Sequence, residues 1–325
     1  MKLENIKKII VFRALQIGDM LCAIPAIRAL HHAYPDAEIT LIGLPWAKML
    51  AERFPQYFHS VIIFPGYPGF PERPVDYFAF PDFLKNVQQE HFDLALQMQG
   101  NGIISNPLAA LFGAKNVAGF YTEHNFCPDG DLFIEYPGDI HEIKRHLKLM
   151  ESLGITKYTT DLEFPIVEKD MEDFEKAALP VKPNEYVIIH PGARGVSRQW
   201  SPENFAAMAD YFFEMGFQVV ITGTREEKEI VENVIHYMKY QPINAAGKTS
   251  LGAVAVLIKS AAALVSNCTG VSHIAAALQT KSIVISLDEE PGRWAPLNKL
   301  LHKTIIWTSD RDLNFVREEV KGLFS

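Results

Sequence analysis

Cysteine is scarce in this chain. Its 325 residues include three, Cys22, Cys127 and Cys268, far apart and odd in number. That excludes a disulfide framework and a paired Cys-x-x-Cys metal site, and it predicts a reducing, cytosolic setting. Basic residues are also outnumbered, 31 Lys and Arg against 39 Asp and Glu, for a net charge of -8. Nucleic-acid binders carry the opposite balance, so no nucleic-acid partner is expected. No uninterrupted apolar run reaches the ~18 residues of a membrane span. Residues 1–8 lack the apolar core and cleavage site of a secretory signal. The GxGxxG fingerprint of dinucleotide enzymes and the HExxH zinc spacing are missing as well. Low-complexity tracts are absent, so order is expected away from the ends.

What is present is an ordinary globular composition, 48% hydrophobic and 22% charged, long enough for two domains of roughly 150 residues. Short β-branched runs alternate with helix-period segments, the pattern of a parallel sheet covered by helices. Strands are expected over 8–13, 38–42, 61–64, 93–97 and 116–119, with helices over 21–34, 47–54, 82–90 and 140–153. Residues 158–184 carry Pro165, Pro180 and Pro183 around a charged helical stretch and read as a connection. The alternation then restarts. Strands are expected over 186–190, 218–221, 263–266, 282–285 and 305–307, and helices over 201–215, 226–238, 251–261, 271–278 and from 313. The fold class is therefore α/β, two Rossmann-like halves in tandem. Ligands bind beyond the carboxyl ends of such strands, and two facing halves make a cleft for two substrates.

Four loops at those ends carry candidate chemistry. After the first strand comes Gly18-Asp19, with Gly18 permitting a tight turn. Asp19 is placed to act as a general base, or to cap the following helix, the usual role of an Asp so placed. The second loop, His190 to Trp200, has Gly192 and Gly195 for close backbone approach. Its Arg194 and Arg198 are forked donors suited to phosphate. Ser201 then reads as a helix cap with Pro202 at the first helical position. The third, Cys268-Thr269-Gly270-Val271-Ser272-His273, turns a strand directly into a helix whose N-terminus faces anions, with Ser272 and His273 as further donors; the alternative is that Thr269 only caps the helix and His273 is a satisfied, semi-buried histidine. The fourth, Thr222 to Glu227, offers Thr224 and Glu226 or Glu227 near a ribose diol, or acidic residues that merely complement a helix dipole. Asp129-Gly130-Asp131 and Asp310-Arg311-Asp312 resemble a DxD metal motif, but they read as a turn and a helix start, so no metal is expected.

Taken in order, these motifs resemble glycosyltransferase family 9, the heptosyltransferases of lipopolysaccharide core assembly. The likeness rests on Gly18-Asp19 with Leu21 and Pro25, on His141 to Leu147, on Leu153-Gly154-Ile155, on His190-Pro191-Gly192, on Arg198 to Phe205, on Gly247 to Leu251 and on Thr269 to Ala277. The resemblance implies a GT-B fold and an inverting, metal-independent transfer with no cofactor. It implies an acceptor domain over 1–170 and a donor domain over 171–311, with the helix 312–325 packed back on the first. Asp19 is then the base. Arg198, where lysine is more usual, steadies the departing diphosphate, and Thr269, Gly270, Ser272 and His273 hold it. Gly18, His190, Gly192, Arg194, Thr224, Glu226 and Cys268 complete the donor set. The implied donor is a nucleotide sugar, ADP-heptose favoured. The implied acceptor is a lipopolysaccharide-core glycolipid or similar oligosaccharide, met at the inner face of the bacterial inner membrane by a peripheral cytoplasmic protein, where Lys7, Lys8, Arg28 and Lys144 are candidate contacts. The family carries Asp immediately before Thr-Gly, and this chain has Cys268. A thiol bonds sugar hydroxyls more weakly than a carboxylate. A nucleotide-sugar-binding protein without catalysis and a nucleotide-sugar epimerase fit the same scaffold.

Overall fold

The computed structural model describes residues 3–287, 290–308 and 311–324, in two units that divide between Asp161 and Leu162. The first unit runs β1 (Lys8–Phe12), α1 (Ile17–Ala33), β2 (Glu38–Gly43), α2 (Ala47–Arg53), β3 (Ser60–Ile63), α3 (Ala79–Gln89), β4 (Leu94–Gln97), α4 (Ser105–Ala110), β5 (Asn116–Tyr121), β6 (Phe133–Glu135) and α5 (Glu142–Ser152). The second runs α6 (Glu168–Ala177), β7 (Tyr186–His190), α7 (Pro202–Glu214), β8 (Gln218–Ile221), α8 (Lys228–Tyr237), β9 (Ile243–Asn244), α9 (Leu251–Ser260), β10 (Ala263–Asn267), α10 (Gly270–Ala277), β11 (Ser282–Ser286), α11 (Pro291–Trp294), β12 (His302–Ile306) and α12 (Leu313–Phe324).

Each unit is built on one parallel sheet of six strands. The first has the order β3-β2-β1-β4-β5-β6 and the second β12-β11-β10-β7-β8-β9. Counted from its own first strand, each is the doubly wound order 3-2-1-4-5-6. The strand order reverses between β1 and β4 in the first unit and between β7 and β10 in the second. Ligands bind at the carboxyl ends of strands flanking such a reversal. Because both faces are covered, the central strands are apolar almost without break: β1 buries Ile9 to Phe12, and β7 buries all five of its residues. The first core packs Phe12, Phe64 and Phe112 at ring angles of 58° and 86°. The second gathers Trp200, Phe205 and Phe212 under β7, β8 and β10.

Several elements differ from the sequence expectation. α1 begins at Ile17 rather than residue 21, because Gln16 is the cap. The Asp19 carboxylate accepts the Gln16 N–H at 3.2 Å, and the Met20 N–H bonds the Gln16 carbonyl at 3.0 Å. Gly18 therefore lies inside the first helical turn and makes no tight turn, and Asp19 is the third helical residue rather than the cap. Four short elements, α4, β6, β9 and α11, were not foreseen; each is too short for a periodic signal. The division after Asp161 falls earlier than residue 170, and α6 packs on α9 in the second unit. The terminal helix, expected against the first domain, sends Val316, Val320 and Leu323 into the second unit's core. Ser201 does cap α7, accepting the Asn204 N–H at 3.3 Å, with Pro202 at the helix start. Asp129 closes a turn by accepting the Asp131 and Leu132 N–H groups, and Asp312 accepts the Phe315 N–H as α12 begins. Asp310 lies outside the described residues.

Candidate functional site

In the second unit the candidate residues collect where the strand order reverses. β10 ends at Asn267, whose side chain is fully buried and joins two loops. Its Oδ1 accepts the Trp200 N–H at 2.9 Å and its Nδ2 donates to the Pro191 carbonyl at 2.8 Å. The His190–Trp200 loop is thereby fixed beside the start of α10. Cys268 is buried, and its N–H continues the ladder to the Ile285 carbonyl at 2.9 Å. Thr269 is extended and occupies the cap position of α10 without a side-chain cap bond. Ser272, fully buried, closes the turn instead: its hydroxyl donates to the Thr269 carbonyl at 2.7 Å and its N–H to the same oxygen at 3.0 Å. That hydroxyl is committed to the backbone. His273 is 4% exposed and packs edge-on to Trp294 at 6.3 Å. The dipole of α10 is positive at this Gly270 end, which suits the corner to an anion.

The neighbouring corner, after β7 and β8, is a polar cluster. His190 Nδ1 pairs with the Thr222 hydroxyl at 2.9 Å, and its Nε2 lies 3.9 Å from the Glu227 carboxylate. Burial holds the imidazole below its ordinary pKa, against the opposing pull of Glu227, so it is neutral at neutral pH. The Glu227 carboxylate accepts the Thr224 N–H at 2.8 Å. It rests over Gly192 so closely that a side-chain carbon at 192 would overlap it. The structure thus brings Glu227 to His190 and Gly192. Glu226, one residue earlier, is exposed, and Thr224 takes part through its main chain.

Arg194 is exposed on the loop, and Arg198 is half-buried at the end of a short 3-10 turn, Val196–Arg198. Gly195 precedes that turn at φ 90°, a left-handed conformation that glycine tolerates and other residues resist. Gln199 pins the loop, its Nε2 donating to the Ala193 carbonyl at 3.0 Å. Two guanidinium groups and a helix N-terminus thus flank the same strand ends, a donor set suited to a diphosphate.

In the first unit Gly18 is buried and Asp19 half-buried at the opening of α1, at that unit's own reversal point. Lys7 and Lys8 sit at the opposite, amino edge of the sheet, paired with Asp36 at 3.7 Å and Glu90 at 2.8 Å, and Arg28 bonds the Thr159 hydroxyl at 2.7 Å. Among the described residues no group of three or more His, Cys, Asp or Glu side chains converges as a metal-binding set. The sequence reading assigned no role to Asn267 or Arg13. The available signal was a buried polar residue at the carboxyl end of an apolar strand, where a side chain with no job would be apolar.

Comparison with known proteins follows the same outline. The family model of Glycosyltransferase family 9 (heptosyltransferase) matches residues 82–322. The Lipopolysaccharide heptosyltransferase 3 of Escherichia coli (strain K12) is 25% identical over 286 residues, 86% of this chain and 82% of its own length. Among solved structures, the glycosyl transferase family 9 protein from Veillonella parvula DSM 2008 superposes with a TM-score of 0.80 at 20% identity, covering 99% of this chain and 98% of that one. The E. coli ADP-heptose lps heptosyltransferase II gives 0.77 at 19%, covering 98% of each. The two structural likenesses establish a shared GT-B fold.

Proposed function

The chain belongs to glycosyltransferase family 9, a glycosyltransferase of the heptosyltransferase type, and on that premise we propose that it moves a heptose or related sugar from ADP-heptose to a lipopolysaccharide-core acceptor, with inversion and without a metal. The observation that carries the reading is the arrangement at the second unit's reversal point. There the start of α10 at Thr269-Gly270, the arginines of the His190–Trp200 loop and the oriented Glu227 carboxylate stand at adjacent strand ends. A nucleoside diphosphate offers the matching groups, two phosphates and a ribose diol.

In this reaction the Asp19 carboxylate takes the proton from an acceptor hydroxyl as that oxygen attacks the anomeric carbon of the donor. The bond from that carbon to the diphosphate oxygen breaks on the opposite face, so the configuration inverts. The electron pair leaves with ADP, whose added charge is met by Arg198 and the N-terminus of α10. Glu227 accepts from the ribose hydroxyls, its carboxylate already aimed by the Thr224 N–H. Cys268 stands where the family carries Asp, and its buried thiol gives the donor sugar a weaker partner than a carboxylate. The acceptor is a membrane-anchored glycolipid met by the first unit. The contact we propose is peripheral; among the described residues no helix is long and apolar enough to cross a membrane.

Calorimetric titration with ADP, UDP and GDP tests the nucleotide. ADP is expected to bind most tightly, and a preference for UDP or GDP overturns that assignment. Transfer from ADP-heptose to heptose-deficient core lipopolysaccharide tests the base: Asp19→Asn is expected to slow turnover by roughly a hundredfold to ten-thousandfold, leaving a measurable residual rate, while ADP affinity stays within about twofold.

A further inference from the structure

Arg13, the residue after β1, is 1% exposed, and all three of its guanidinium nitrogens donate hydrogen bonds. Nε and Nη2 both donate to the main-chain carbonyl of Asp19, at 3.1 and 3.0 Å. Nη1 donates to the Met98 carbonyl at 2.6 Å, at the end of β4. Nη2 also meets the Glu142 carboxylate on α5 at 3.1 Å. One planar group therefore ties together the first turn of α1, the tip of β4 and the start of α5. The next residue repeats the tie, since the Ala14 N–H donates to the buried Gln99 side-chain oxygen at 2.8 Å.

Glu142 is itself over-committed. It is 3% exposed and carries Arg13, Arg145 and His146 together. His146 Nε2 lies 3.2 Å from its Oε1, and Arg145 closes on the other oxygen. Arg145 also donates to the carbonyls of Pro137 at 3.0 Å and Gly138 at 2.9 Å, and stacks 4.4 Å over Tyr136. A buried ion cluster is a poor source of net stability compared with an apolar core of the same volume. What such a cluster does supply is a fixed geometry, because each partner has one satisfying orientation.

We propose that Arg13, seated on Glu142, is a positioning residue for Asp19: it holds the main chain of the first helical turn so that the Asp19 carboxylate meets the acceptor hydroxyl. The inference rests on the reading of Asp19 as the base. Arg13 acts through the Asp19 main-chain carbonyl, while one carboxylate oxygen accepts the Gln16 N–H. Lysine cannot substitute, since one ammonium lacks the fork that reaches Asp19, Met98 and Glu142 at once. A displacement of the base by about 1 Å costs on the order of a hundredfold in rate.

The experiment is a double-mutant cycle of Arg13→Lys and Asp19→Asn, read with ADP-heptose and heptose-deficient core lipopolysaccharide, with ADP affinity measured on every variant. Arg13→Lys is expected to lower kcat by roughly tenfold to a hundredfold. ADP affinity and the donor KM stay within about twofold, and the double variant is no slower than Asp19→Asn alone. Glu142→Gln, which keeps the shape and removes the charge under Arg13, is expected to lower kcat by less. A wild-type kcat in Arg13→Lys overturns the inference. So does a double variant slower than Asp19→Asn by the full Arg13→Lys factor, and so does a loss of ADP affinity in parallel with kcat, which marks a general structural role. A fully active Asp19→Asn overturns the base reading itself and the positioning role with it. A strongly slowed Asp19→Asn beside an unimpaired Arg13→Lys overturns the positioning role alone.

Discussion

The Glu227 carboxylate lies directly over the backbone of Gly192, so that the absence of a side chain at 192 is what lets the acid reach His190. The two residues belong to loops after different strands, β7 and β8, and neither is informative without the other. The Gly192→Ala variant is expected to push Glu227 aside and weaken ADP binding by about tenfold, roughly 1.4 kcal/mol. Glu227→Gln is expected to do the same, whereas Glu226→Gln, on an exposed side chain, changes affinity by less than about twofold. Calorimetry on the three variants checks this, and equal losses from Glu226 and Glu227 would disprove it.

Asn267 holds the loop of the second unit against α10 with two buried bonds, one accepted and one donated. Asn267→Ala leaves the Trp200 N–H and the Pro191 carbonyl without partners. Each such orphan costs about 1–3 kcal/mol, so a loss of roughly 2–4 kcal/mol is expected in urea unfolding. Asn267→Asp keeps the acceptor for Trp200 but sets a carboxylate oxygen against the Pro191 carbonyl, so it is expected to destabilise too. A midpoint unchanged in either variant contradicts this account of the loop.

We propose that Arg198 serves the departing diphosphate rather than ground-state binding. Arg198→Gln is therefore expected to cut kcat by about a hundredfold, some 2.7 kcal/mol of transition-state stabilisation. ADP affinity should fall far less. Steady-state kinetics beside calorimetry separate the two, and a loss confined to affinity would move Arg198 out of the chemical step.

Two buried histidines predict an acid limb in stability. Burial, with Arg13 nearby, pushes His146 down to about 4, and burial, with Lys299 nearby, does the same to His302 beside Ser282. The unfolded chain takes up these protons near pH 6.5, and the fold does so only near pH 4. Stability is thus fully present above pH 6.5 and is lost as pH falls from there toward 4, by on the order of 1–3 kcal/mol for each group. Tm should drop across that window, and His302→Gln should flatten the slope. A Tm independent of pH between 7 and 4.5 would show that these groups titrate normally.

Much of the fold was legible because parallel strands covered on both faces are apolar runs, and β1, β2, β7, β8 and β10 all announce themselves in that way. The start of α1 was not, since Gln16, Ile17 and Gly18 are weak helix openers by themselves. The turn closes there because the Asp19 carboxylate reaches back to the Gln16 N–H, and Arg13 holds the Asp19 carbonyl. The candidate site divided in the same manner. Thr269-Gly270 could be read as a helix start facing anions from a single stretch of chain. That the Ser272 hydroxyl bonds the Thr269 carbonyl could not be read in the same way, because the contact depends on the pitch of one turn.

The sequence alone determined the α/β class, the two halves and the loops that carry polar residues to the strand ends, because these follow from short-range periodicity and from residue types that only such loops tolerate. Only the tertiary structure decided that Glu227 rather than Glu226 meets His190, that Asn267 joins two loops, and that Arg13 holds Asp19 from a seat on Glu142, 129 positions further along the chain. Those relationships are set by which strand lies beside which, and strand order arises from packing the whole sheet, a cooperative outcome that no local pattern encodes.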